Sequence, residues 1–306
     1  MAAAPDAHIV TAATLRSVDD LRLLAQVFST RLVRLLASKH HPWPGQRMMP
    51  LLAHADGKGS LGEAFDSAYW LLEREYRCEY VYKNAIISGA PAGAHAMTGL
   101  RVFMSIADVT VAGPAGATAY EIKTDLDSFT RLELQLPSYS RCFEHVNVVT
   151  SPAKTNRAIQ VTPAHVGVLT MDNEHALSVV RESEGGLERL ELASLFPILR
   201  RNELHSILET HCGYTVPQQP TPYEYHTRYE LFMTLPLEIA YPAFIAALQR
   251  RDCRSREAAR AAALPLSLQG IAAGLVLSSA AWKRLGDIMC CPVAEFALGG
   301  NARVLS

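Results

Sequence analysis

Asp108, Glu121 and Lys123 are residue types that together do phosphate chemistry, and their spacing allows them to meet. Two carboxylates offer the hard oxygen donors that Mg2+ or Mn2+ prefers. A divalent ion held there polarises a phosphodiester and stabilises charge on the leaving oxygen. A neighbouring lysine orients or deprotonates the attacking water and offsets phosphate charge. The backbone carbonyl of Ile122, between Glu121 and Lys123, offers one further oxygen ligand. Glu and Lys also sit together on many solvated strands. Here, however, they flank Ile122 in a segment that otherwise reads as sheet core.

The elements that would position these residues are short. Residues 102–111 and 118–124 read as strands, joined by a Gly-, Ala- and Pro-rich turn over 112–117. Alternate strand residues share a face, so Glu121 and Lys123 point the same way, and a hairpin centred near Ala115 returns Asp108 beside them. The register stays open, because a slip of one residue would turn one strand over. A helix is expected over 126–143, where Gln135 and Tyr139, four apart, share one face. Asp125 and Asp127 read as a cap for its main part, 128–141. Residues 146–149, 166–170 and 176–180 read as further strands, with a turn at 171–174.

Helical patterns flank this core. One covers 14–39, opened by a capping box at Ser17 and Asp20, with Leu21, Leu24, Phe28, Leu32 and Leu36 on one stripe. The Pro- and Gly-containing stretch 41–45 breaks it, and His40 and His41 read as surface loop. A second pattern covers 61–87, with Phe65, Ala68, Leu72, Tyr76 and Tyr80 on its stripe, and 89–99 reads as a loop. A third begins at Thr221, with Thr as cap, Pro222 at the first position and Glu224 at the third, and runs towards Arg250. The expected division is an N-terminal helical extension (1–60), an α/β core (61–185) and a C-terminal helical region (186–306).

Composition excludes several classes. The 306 residues are 49% hydrophobic and 19% charged, which suits a folded domain with a proper core. A net charge of −1 leaves nucleic-acid binding to local basic stretches such as 31–41 or 250–260, which read equally as solvated helix faces. The six cysteines form no C-x-x-C pair, so they read as reduced thiols of a cytoplasmic protein. No secretory signal opens the chain. The uncharged stretch Ala261–Trp282 has the length of a membrane span, but its Pro, Ser, Gln, Ala and Gly content reads as a buried helix pair. H-E-x-x-H, G-x-S-x-G, G-x-G-x-x-G and P-loop patterns are all missing.

Asp108, Glu121-Ile122-Lys123 and Gln135-x-x-x-Tyr139 together resemble the RecB-like branch of the PD-(D/E)XK nucleases. Residues 80–84, Ala107-Asp108, residues 120–128, Arg131-Leu132 and residues 148–150 are similar to the bacterial sce7726 family, most closely over 75–183. The resemblance implies a restriction-endonuclease-like mixed sheet flanked by helices, with helical extensions at both ends. It implies that Asp108 and Glu121 are metal carboxylates, Lys123 the catalytic lysine, and Gln135 and Tyr139 positions that orient substrate or water. It also implies a third carboxylate from the helix before the hairpin. Glu79 fits that place because residues 80–107 contain no acid, and Glu75 is the alternative. The strand leading to Asp108 lacks the acid that some relatives carry there. The expectation is therefore an Mg2+- or Mn2+-dependent nuclease, endo- or exo-acting, with DNA ahead of RNA as substrate. A protein partner is expected at the C-terminal region. Two alternatives stay open: a catalytically silent binding protein on the same fold, and a toxin-like nuclease acting on RNA.

Overall fold

The computed structural model describes residues 17–39, 45–172, 176–217, 222–251 and 254–297. The start of the first helical pattern, the breaker at 41–44, His40, His41, the tip of the 171–174 turn, the Thr221 cap and Cys253 lie outside these residues.

Helix α1 (Val18–Ala25) carries the expected capping box. Ser17 Oγ accepts the Asp20 amide at 3.2 Å, and the Asp20 carboxylate accepts the Ser17 amide at 3.1 Å. The single helix expected over 14–39 is in fact two. The chain breaks after Gln26, and Ser29 caps α2 (Thr30–Leu36) by accepting the Leu32 amide. The stripe from Leu21 to Leu36 is nonetheless buried throughout. Apolar periodicity reports the buried face, whereas a second cap residue marks the break. Helix α3 (Gly45–Ala55) follows, in a stretch that no sequence pattern assigned.

The pattern over 61–87 also divides, into α4 (Leu61–Glu75) and α5 (Glu79–Ser88). Arg77 at the break has φ 38°, a left-handed conformation uncommon for a residue with a side chain. That turn makes Glu79 the first residue of a new helix, where its negative charge suits the helix dipole.

The sheet begins earlier than expected. Strand β1 (His95–Val102) takes up half of the predicted 89–99 loop. Gly99, at φ 66°, interrupts its β pattern, and pairing with β2 (Ser105–Gly113) from Ser105 to Ala112 holds it in place. The hairpin between β2 and β3 (Gly116–Lys123) turns through Pro114 and Ala115 between paired Gly113 and Gly116. Gly116 sits at φ 120°, which a glycine tolerates. Helix α6 (Leu132–Ser140) starts later than the expected Leu126 because Asp127 does not cap it. The Asp127 carboxylate instead accepts the Thr124 amide at 2.9 Å and the Thr124 hydroxyl at 2.7 Å, while Asp125 accepts the Ser151 hydroxyl.

Strand β4 (His145–Thr150), helix α7 (Thr155–Val161) and strands β5 (Gly167–Met171) and β6 (Leu177–Arg181) complete a six-stranded mixed sheet in sequence order. The β1–β2, β2–β3 and β5–β6 pairs are antiparallel; β3–β4 and β4–β5 are parallel. Helices α6 and α7 make the two parallel crossovers.

The C-terminal third is helical: α8 (Leu192–Leu195), α9 (Arg201–Cys212), α10 (Glu224–Met233) and α11 (Leu237–Gln249). The helix expected to reach Arg250 is interrupted before Pro236, since proline disfavours helix at the residue before it. Then come α12 (Arg254–Ala261), α13 (Gln269–Ala272), α14 (Ser279–Met289) and α15 (Val293–Ala297). The uncharged stretch over 261–282 contributes buried α13 and the first turn of α14, and no described helix is long and apolar enough to cross a membrane.

Each sheet face carries its own core. Val109, Val111, Ile122, Val149 and Met171 pack with α1–α5 and the last helices. Ala119, Val146, Val148 and Val168 pack with α6, α9 and α11. Of the basic stretch 250–260, Arg251 is buried and so is no part of a solvated patch.

Candidate active site

The β2–β3 ladder ends at Val109 opposite Tyr120. One step further, the same register sets Asp108 opposite Glu121. There the Asp108 side chain takes over from the backbone, its Oδ2 accepting the Ile122 amide at 2.8 Å. The register left open by sequence is thus the one that joins the two carboxylates.

Glu121 and Lys123 share a face, as alternation requires, and both are 3% exposed. Lys123 Nζ donates to Glu121 Oε1 at 2.6 Å and to Gln135 Oε1 at 3.2 Å. Tyr139, one turn beyond Gln135 on α6, places its hydroxyl 2.9 Å from both Glu121 Oε2 and the Ile106 carbonyl. The helix therefore clamps the acidic and basic ends of the motif together. Behind it, the Thr150 hydroxyl donates to the Lys123 carbonyl at 2.6 Å and Lys154 Nζ to the Thr124 carbonyl at 2.9 Å, fixing the end of β3.

Glu79 enters through Lys83. Its carboxylate ion-pairs with Lys83 one turn along α5, and Lys83 Nζ lies 3.4 Å from Asp108 Oδ1. Asp108, Glu121, Lys123, Gln135 and Tyr139 are thus in one connected network, with Glu79 at its edge. Ile122 meets it through its amide. Glu75, at the end of α4, faces Arg74 at 3.8 Å instead. Lys83 is the member that sequence reasoning did not assign. Its signal was present: a cation four residues after Glu79, inside the stretch 80–84.

Three carboxylates against two ammonium groups leave one formal negative charge. Burial, then the nearby Glu121 charge, push the Asp108 carboxyl up to about 6, while Lys83 and the Ile122 amide pull the other way. Burial alone would lower Lys83, but Asp108 and Glu79 outweigh it and hold its ammonium above the ordinary lysine range. Burial and the Glu121 charge raise the Tyr139 phenol, keeping it a hydrogen-bond donor.

Among the described residues, no group of three or more His, Cys, Asp or Glu side chains converges as a ready metal cage. The donor set fits a divalent cation in a sparer way. Asp108 and Glu121 offer two carboxylates whose mutual repulsion such an ion would relieve. Mg2+ commonly takes one or two carboxylates and completes its shell with water and phosphate.

A family model described as bacteriophage P4 protein cII matches residues 73–261, more than half of the chain and the whole of this network. No curated protein matches. Among solved structures, the SPO1766 protein of unknown function from Silicibacter pomeroyi is 15% identical, over 37% of this chain and 73% of its own, with a TM-score of 0.29, a likeness that carries no argument.

Proposed function

The chain belongs to the bacteriophage P4 protein cII family, and we propose that it is a metal-dependent nuclease of the PD-(D/E)XK type, with DNA ahead of RNA as substrate. One observation carries this reading. At the point where β2 and β3 part, Asp108 of one strand holds the Ile122 amide of the other, next to Glu121, which pairs with a buried lysine braced by Gln135. In this reading the sheet is a restriction-endonuclease-like core, similar to the sce7726 proteins over 75–183. The C-terminal helices shape the substrate groove or seat a protein partner. The free thiols Cys78, Cys142, Cys212, Cys290 and Cys291 suit the cytoplasm.

Asp108, Glu121 and the Ile122 carbonyl would hold Mg2+ or Mn2+, with Glu79 as the outlying candidate ligand. When bound, the ion supplies Lewis-acid polarisation of the phosphate and charge stabilisation at the leaving oxygen. Lys123 orients the attacking water and offsets phosphate charge. Gln135 aims Lys123, and Tyr139 fixes the Glu121 carboxylate by donating to Oε2.

A second reading has one observation in its favour. Both candidate metal carboxylates already face a lysine, Asp108 with Lys83 and Glu121 with Lys123, as they would in a nuclease fold that binds without cutting. The test is cleavage of single- and double-stranded DNA and RNA with Mg2+ and Mn2+, comparing wild type with Glu121→Ala and Lys123→Ala and checking each fold by circular dichroism. Cleavage that vanishes in both variants supports the nuclease, and the preferred polymer separates DNA from RNA. Activity that survives both substitutions overturns the site, and a wild type that binds but never cuts selects the silent reading.

A further inference from the structure

The two lysines of the network are held differently. Lys123 is almost wholly buried, lies 2.6 Å from Glu121 and is braced by Gln135. Lys83 is looser. Its separation from Asp108, 3.4 Å, is longer than a tight charge-assisted hydrogen bond of roughly 2.7–2.9 Å. Its other tie is to Glu79, a half-exposed carboxylate one turn back on the same helix.

Lys83 also has somewhere to go. It lines a cleft of 390 Å³ between the first two helices, α5 and β1, whose walls include Arg22, Gln26, Tyr76 and Thr98. Arg22, whose guanidinium lies 3.9 Å from Asp19, brings a second cation to that cleft, and Glu79 brings an anion. A lysine is a compact charge on a flexible stem, able to turn from one wall to another.

We propose that Lys83 is an exchangeable internal cation, which neutralises Asp108 in the metal-free protein and turns into the cleft, when a divalent ion takes its place, to bind a phosphate of the nucleic-acid strand. This rests on the metal-dependent reading above and adds to it a residue that couples metal loading to substrate capture. Lys83 touches no reacting atom in this scheme; it acts by leaving Asp108.

The test uses the full chain and two readouts besides cleavage. Mn2+ affinity is measured by electron paramagnetic resonance of the free ion. Oligonucleotide affinity is measured by fluorescence anisotropy of a phosphorothioate-substituted single-stranded DNA at saturating Mn2+. Removing one unit charge beside the ion site should tighten Mn2+ binding by Lys83→Gln about tenfold. The same variant should bind the oligonucleotide about tenfold more weakly, since a phosphate contact is lost. Lys83→Arg should restore both towards wild type. Equal Mn2+ affinity in wild type and Lys83→Gln overturns the exchange, and equal oligonucleotide affinity overturns the phosphate contact, with the metal reading intact in both cases. If neither wild type nor Lys83→Gln binds Mn2+, the metal-dependent reading itself falls and this proposal falls with it.

Discussion

The Asp108 carboxylate accepts the Ile122 amide at 2.8 Å, one residue beyond the last backbone pair of the β2–β3 ladder. A candidate metal ligand thus also supplies the acceptor that a part-buried amide would otherwise lack. Asparagine keeps an acceptor at that place and alanine does not. Asp108→Ala should therefore lose about 1–3 kcal/mol of stability through the orphaned amide. At pH 4, where the folded Asp108 is protonated, Asp108→Asn should stay within about 1 kcal/mol of wild type by the same reasoning. Urea unfolding measures both, and both variants should lack Mn2+-dependent cleavage.

The raised Asp108 carboxyl gives stability a defined pH dependence. Its ordinary value is 3.8 and its value in the fold is about 6. Between these the folded chain binds the proton more tightly than the unfolded chain, so this group makes stability fall as pH rises from about 4 to about 6 and leaves it level above. The contribution is at most on the order of 3 kcal/mol. Denaturant midpoints collected from pH 4 to pH 7 should show the decline in wild type and a flatter line in Asp108→Asn. Mn2+ affinity should move the other way, rising through pH 6 as the carboxylate ionises.

The arrangement of the candidate residues was more legible than the elements that carry them. Glu121 and Lys123 share a face because strand periodicity is strict, and Gln135 and Tyr139 share one because helix periodicity is nearly so. Asp108 needed a register, and the tight Gly113–Gly116 turn fixes it in three dimensions. Helix breaks were hidden where the apolar stripe ran on through them, as it does across Gln26–Ser29 and Tyr76–Cys78. Strand β1 was hidden for a different reason. Only Thr98 and Val102 of its eight residues are β-branched, Gly99 interrupts the run, and the partner strand holds it.

The Glu121–Lys123 pair, buried and 2.6 Å apart, should be strongly coupled. Removing one partner strands a buried charge, which costs about 3–5 kcal/mol, whereas replacing both by uncharged groups of similar shape is often nearly neutral. Glu121→Gln and Lys123→Met should each destabilise the fold, and the double variant should be more stable than the sum of their losses predicts. A double-mutant cycle in urea measures the coupling, expected at about 2 kcal/mol or more. Additive losses would mean that water reaches the pair and screens it.

A second buried ion pair ties the C-terminal helices together, remote in sequence from the candidate site. Arg251 follows α11, and its guanidinium grips Glu203 of α9 with both arms, at 2.7 and 2.6 Å, while also donating to the Ile198 carbonyl at 2.6 Å. Burial alone would raise the Glu203 carboxyl. The hydrogen bonds from Arg251 and from the Arg200 amide outweigh it and hold it below the ordinary glutamate value. A depressed carboxyl stabilises the fold at neutral pH, and that contribution is lost as pH falls through the folded value. Arg251→Met leaves the carboxylate buried without its bidentate partner and should cost about 3–5 kcal/mol. The loss should be largest near pH 7 and shrink on acidification, because protonating Glu203 removes the stranded charge. Thermal unfolding of wild type and Arg251→Met at pH 4 and pH 7 checks both the size and the sign, and a loss equal at the two pH values would show that Arg251 acts by packing and not by charge.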